Sequence, residues 1–168
     1  MLKRREIFSI FTSKNKKEIL ILPPYNNDRS LFDKICKECN QACKEACKVS
    51  SKIYQEGIIW QKDGKPYIDF TTRGCTLCQE CAKACEYDVL KVQEEPNWNI
   101  KFSIDVLKCL SHQKTMCFTC KDVCQSITGK KNVIAFVGMF YPKIEKDCIG
   151  CGFCVSACPT YAITWSER

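Results

Sequence analysis

The chain has 168 residues, 45% of them apolar and 27% charged, with 16 cysteines and a formal charge of +7. That length allows one domain or two very small ones, and so dense a cysteine content marks a scaffold stapled by metal or by disulfides. The positive charge counts every thiol as neutral, and no aromatic-plus-basic motif accompanies it, so nucleic acid is not an expected partner.

Residues 1–30 hold no cysteine. Lys3-Arg4-Arg5 opens as a twin-arginine export signal would, but Ser9-Ile10-Phe11-Thr12 is closed at once by Lys14, Lys16, Lys17 and Glu18. A signal needs an apolar run of about 7–15 residues and a small-residue cleavage site. Ile19-Leu20-Ile21-Leu22 falls far short of the roughly 20 apolar residues of a membrane span, and Pro23-Pro24 ends it. The expectation is a cytoplasmic protein without a membrane span. Ile7, Phe8, Ile10 and Phe11 stand at helical spacing among basic residues, which suits either a docking helix or an arm packed on the rest.

The first cysteine group is Cys36, Cys39, Cys43 and Cys47, spaced x2, x3, x3 and followed by Lys48. Gly57 to Phe70 then presents two β-prone runs flanking Asp63-Gly64, a strong hairpin signal, with Trp60, Tyr67, Ile68 and Phe70 expected in the core. Cys75, Cys78, Cys81 and Cys85 follow at x2, x2, x3, with Glu86 next. Val89 to Val92 reads as a strand, and Glu94-Glu95-Pro96-Asn97 as the link between two halves.

The second half repeats the plan. Ile100 to Val106 alternates with period two, as a strand does, and leads into Cys109, Cys117, Cys120 and Cys124, spaced x7, x2, x3. The long gap places His112, the single histidine, in an inserted loop, where a surface role is favoured over a ligand or proton relay. Val133 to Val137 and Phe140 to Ile144 form a strand pair around Gly138, and Tyr161 to Thr164 closes the chain as a strand. Between them lies Cys148-Ile-Gly-Cys151-Gly-Phe-Cys154-Val-Ser-Ala-Cys158-Pro159, the strict C-x2-C-x2-C-x3-C-P run of [4Fe–4S] sites. Gly150 and Gly152 are expected where backbone passes close to inorganic sulfur.

Four groups of four thiols call for four [4Fe–4S] clusters. With about −2 on each thiolate-bound cluster, the loaded protein sits near −1 instead of +7. The fold class is α+β: tandem bacterial-type 4Fe–4S ferredoxin-like units at residues 31–95 and 96–168, preceded by an arm at 1–30. In two-cluster ferredoxins the fourth cysteine ligates the neighbouring cluster. That exchange would group Cys36, Cys39 and Cys43 with Cys85, and Cys75, Cys78 and Cys81 with Cys47. It would likewise group Cys109, Cys117 and Cys120 with Cys158, and Cys148, Cys151 and Cys154 with Cys124. A nested pairing of the first group with the fourth stays open, though adjacent pairing closes shorter loops. Zinc prefers paired C-x2-C knuckles, and a disulfide scaffold needs export; both fit less well. With so thin a conventional core, the metal-free chain is expected to be largely unfolded.

Arg4-Arg5, Pro23-Pro24-Tyr25, Phe32, the C-x7-C-x2-C-x3-C group from Cys109 to Cys124, and the run from Cys148 through Pro159 to Ala162-Ile163 occur in that order. Together they resemble the NapF-type ferredoxins of the periplasmic nitrate reductase system. The x3 gap between Cys39 and Cys43 and the absence of proline after Cys85 depart from that pattern. The resemblance implies a cytoplasmic iron–sulfur protein that binds the molybdenum-containing catalytic subunit of nitrate reductase before export. There it would help assemble or reduce that subunit's own [4Fe–4S] cluster. A plain electron-transfer ferredoxin, or an electron-transfer subunit of an oxidoreductase, is the alternative. No Gly-rich nucleotide loop and no catalytic constellation is present, so an enzyme in its own right is not expected.

Overall fold

The computed structural model describes residues 19–51 and 56–168. The candidate docking helix and the Arg4-Arg5 pair therefore lie outside the described residues. The helices are short: α1 (Ser30–Lys34), α2 (Ala42–Ser50), α3 (Glu80–Lys83), α4 (Thr119–Thr128) and α5 (Phe153–Ala157). Each cysteine group runs from a loop into one of the last four, and α2 packs on α3 as α4 packs on α5.

Three antiparallel two-stranded ribbons carry the β-structure. The first pairs β1 (Ile59–Lys62) with β2 (Lys65–Ile68), the second β3 (Ile100–Ile104) with β6 (Ile163–Glu167), and the third β4 (Ile134–Val137) with β5 (Tyr141–Ile144). Asp63 and Gly64 turn the first hairpin at φ of 50° and 78°, the double left-handed geometry that an Asp-Gly pair favours. Ile100 and Phe102 are buried while Lys101 and Ser103 face outward, which is why period two was legible there.

Two expectations fail. Val89 to Val92 is not a strand. Val89 and Leu90 are buried, but their backbone neighbourhood is taken by residues 23–26. The Asn26 side chain donates to the Val89 carbonyl, and the Lys91 and Asn97 amides donate to the Tyr25 and Pro24 carbonyls. Trp60 is not core either: it is 44% exposed on the outer face of β1, near the Lys44 ammonium. Ile68 and Phe70 are buried as expected.

Residues 19–26 are part of the core and not an appendage. Ile21, Pro23, Pro24 and Tyr25 are buried, and the Ile21 carbonyl accepts from the Ile68 amide at 2.7 Å. Asn99 clips this segment from the other half, accepting from the Leu22 amide and donating to the Leu20 carbonyl, each at 2.9 Å. Trp98, at the end of the expected link, is also buried. One apolar cluster runs from Ile21 and Phe32 through Phe70 and Trp98 to Phe102 and Ile163, and the cysteine loops close around it.

Candidate iron–sulfur centres

In the second and fourth groups, left-handed residues make the loop curl. Leu77 and Gln79 have φ of 57° and 64°, and the matching positions Gly150 and Gly152 have 74° and 76°. Alternating hand along a short segment turns successive amides toward one concave side, a natural seat for anionic sulfur. The Leu77 amide accordingly donates to Cys75 Sγ at 3.4 Å. Elsewhere the Leu90 amide donates to Cys85 Sγ at 3.4 Å, and the Ala162 amide to Cys158 Sγ at 3.2 Å. In the first group the inserted Asn40 starts the helix: its side chain accepts from the Ala42 amide and donates to the Glu86 carboxylate. Both departures from the strict pattern, Asn40 and Glu86, thus touch each other.

The chain brings together cysteines distant in sequence. Cys36, Cys39, Cys43 and Cys85 line one small cavity, and Cys47, Cys75, Cys78 and Cys81 line another. Cys124 meets Cys148, Cys151 and Cys154 around a third, and Cys120 sits with Cys109, Cys117 and Cys158. In each set the fourth thiol comes from the other group of the same half. All sixteen cysteines are free thiols.

Burial and crowding set their acidity. Burial, with repulsion from Cys39, Cys43 and Cys85, pushes the Cys36 thiol up to about 12. Burial raises Cys75 to about 12, and Cys43 and Cys120 to about 11. Cys81 and Cys154 are raised by burial and by surrounding cysteines. Burial also works against ionising Cys78 and Cys158, but hydrogen bonds outweigh it and hold both below the ordinary thiol range. They come from the Glu80 amide, Thr76 and Ser50 at Cys78, and from the amides of Ala162, Thr160 and Ile163 at Cys158.

Such sets fit a polynuclear cluster by donor chemistry: four thiols each, no imidazole lining the three cavities, and at the first of them Glu86, whose carboxylate is engaged by the Asn40 amide. The Cys47–Cys81 cavity has a volume of about 170 Å³ and is lined also by Tyr25, Ser50 and Arg73. The spaces at Cys36–Cys85 and Cys124–Cys154 are only about 20 and 10 Å³, so the case there rests on the donors and not on free volume. Among the described residues no group of three or more His, Cys, Asp or Glu side chains is placed to hold a single metal ion. His112 stacks edge-on against Tyr141, with ring centroids 5.5 Å apart.

Gly150 and Gly152 have a further reason to lack side chains. A Cβ on Gly152 would lie 2.5 Å from the Phe70 ring, and one on Gly150 would overlap the Trp98 indole. Both make room for aromatic packing. Sequence reasoning also passed over Tyr25, Ser50, Arg73 and Trp98. Arg73 is buried, donating to the Glu56 and Gly74 carbonyls, and the Trp98 indole N–H donates to the Ile149 carbonyl at 2.9 Å. Tyr25 stands in the Pro23-Pro24-Tyr25 stretch, but no motif marks any of the four as a neighbour of the thiols; only their place in the tertiary structure brings them there.

Ferredoxin-type proteins NapF align along most of the chain. Those of Escherichia coli K12 and Escherichia coli O157:H7 are each 32% identical over 149 residues, covering 86% of this chain and 83% of theirs. The chain belongs to the NapF family of ferredoxin-type proteins. Its Haemophilus influenzae relative is 30% identical over 153 residues, covering 88% of this chain and 79% of that one. Residues 141–164 match the 4Fe-4S binding domain, which includes the strict run from Cys148 to Pro159. This NapF-family chain is thus a ferredoxin-type iron–sulfur protein. No solved structure matches it, and among the described residues no helix is long and apolar enough to cross a membrane.

Proposed function

We propose that the chain carries four [4Fe–4S] clusters in two tandem units, residues 31–95 and 96–168, with the fourth ligand exchanged inside each unit. The observation that supports this reading is the gathering of Cys85 with Cys36, Cys39 and Cys43, and of Cys47 with Cys75, Cys78 and Cys81. One-electron transfer is the chemistry such clusters supply when bound. The chain's part is to hold them, to shield them behind Tyr25, Phe70 and Trp98, and to tune them through amide groups aimed at sulfur. Replacing Cys47 with Ser is expected to alter the spectrum of the site at Cys75, Cys78 and Cys81; a response in the second half would instead favour the nested pairing.

Membership of the NapF family supports a reading of the cellular role. The protein acts in the cytoplasm as a non-catalytic accessory. It docks, through the part of the N-terminal arm ahead of residue 19 among others, on the molybdenum-containing catalytic subunit of periplasmic nitrate reductase, and assists maturation or reduction of that subunit's cluster. The alternative is a general electron-transfer ferredoxin or an electron-transfer subunit. A C-terminally tagged chain recovered anaerobically from nitrate-respiring cells separates the two. Co-purification of the catalytic subunit with its export signal attached supports the accessory role; recovery of mature redox enzymes alone refutes it.

A further inference from the structure

The two halves touch where both carry cysteine loops. The Cys75 amide donates to the Cys151 carbonyl at 2.6 Å, so a residue of the second group is hydrogen-bonded to a residue of the fourth. Their side chains are also within electrostatic reach of each other. The joint is dry and tightly packed: Gly74, Gly150, Cys151 and Gly152 are all buried, and Phe70 and Trp98 close over the two glycines that flank Cys151. Within the halves, α2, which carries Cys43, packs on α3, which carries Cys81, and α4, which carries Cys120, packs on α5, which carries Cys154.

We infer that electrons cross between the halves at this one junction, along Cys75 N–H···O=C Cys151, so that the four cysteine groups form a single line in the order first, second, fourth, third. A covalent path broken by one short hydrogen bond offers a lower barrier than a gap of the same length. The step is a simple exchange: one electron leaves a reduced centre in one half and enters an oxidised centre in the other, with no bond or proton moved. The first electron comes from an external one-electron donor. The chain order and the electrical order therefore differ, and the line ends at the first and third groups, where donor and acceptor would meet the protein. This rests on the four-cluster reading above.

The test uses anaerobically purified full-length protein reduced with dithionite. Wild type is expected to hold about 16 iron and as much labile sulfide; a much lower count would overturn the cluster reading and this inference together. Cys39→Ala with Cys117→Ala silences the two ends, leaving about 8 iron. The electron paramagnetic resonance spectrum is then expected to show two interacting spins. Cys78→Ala with Cys148→Ala silences the middle, and two independent signals are expected. Interaction in the second variant or its absence in the first, with about 8 iron retained in each, overturns the order while leaving the remaining clusters in place. If either double variant loses its iron, Gly74→Ala decides. Its Cβ would lie 2.5 Å from the Phe153 backbone nitrogen and so pry the junction open. At full iron content, the microwave power for half-saturation is expected to fall several-fold; no change refutes the route.

Discussion

Gly152→Ala is the sharpest stability test of the way the halves are joined. Gly152 has φ of +76°, and a Cβ there would lie 2.5 and 2.6 Å from two atoms of the Phe70 ring. Holding a non-glycine residue in the left-handed region costs about 1–2 kcal/mol. Phe70 is 2% exposed and packs against Trp98 and Phe102 at ring-centroid separations of 5.7 and 5.8 Å, so its ring has nowhere to go. Overpacking of this kind costs a further 1–3 kcal/mol or so, for a total of about 2–5 kcal/mol. With a guanidinium slope of about 4 kcal/mol per molar, the unfolding midpoint falls by about 0.5–1.2 M. Because cluster loss makes unfolding irreversible, midpoints are compared at one fixed incubation time, followed by circular dichroism and cluster absorbance. The control is Gly138→Ala, at φ of +65° with nothing within 4 Å of the added atom, which carries only the backbone cost of about 1–2 kcal/mol. Phe70→Leu, combined with Gly152→Ala, is expected to relieve part of the damage, a non-additive pair. Equal midpoints for the two glycine variants, or strict additivity with Phe70→Leu, would refute the packing argument.

Asn99→Ala removes both halves of the clip on residues 20–22 and leaves the Leu20 carbonyl and Leu22 amide unpaired. It is expected to cost about 1–3 kcal/mol and to hasten proteolysis near Leu22, measured by limited digestion. Ser50→Ala removes the hydroxyl that accepts from Cys78 Sγ at 3.7 Å and donates to the Cys47 carbonyl at 3.0 Å, and is expected to shift the reduction potential of the second-group centre in a redox titration, with iron content unchanged. Removing metal by chelation is expected to abolish near-ultraviolet circular dichroism, because the core is thin where the thiols gather.

What could be read from the chain was local. The Asp63-Gly64 hairpin, the β4–β5 ribbon around Gly138 and the alternation of β3 all depend on residues a few positions apart, and each formed where expected. Failures came where a distant segment competed. Val89 and Leu90 have the composition of a strand, but Pro23 to Asn26 reach them first and take their backbone groups. Trp60 has the composition of core, but the apolar face of its hairpin is filled by Ile59, Ile68 and residues from α1 and the 19–25 segment. The same division holds at the thiols. The triples are written in spacing, whereas Tyr25, Ser50 and Arg73, which surround the second group, reach it from separate parts of the chain and follow no pattern that spacing can carry.

The glycines of the last loop show how that division works. Left-handed backbone is required at four matching positions, yet the second group meets it with Leu77 and Gln79. Conformation alone therefore does not demand glycine. The fourth group differs in one respect: rings from elsewhere, Phe70 of the first half and Trp98 of the segment joining the halves, lie where the side chains would be. Gly150 and Gly152 are thus the imprint of an interface left in what looks like a purely local motif. The strict run from Cys148 to Pro159 holds its own thiols and also seats the last loop of the chain against the first half, with the Cys75–Cys151 hydrogen bond at the centre of the contact.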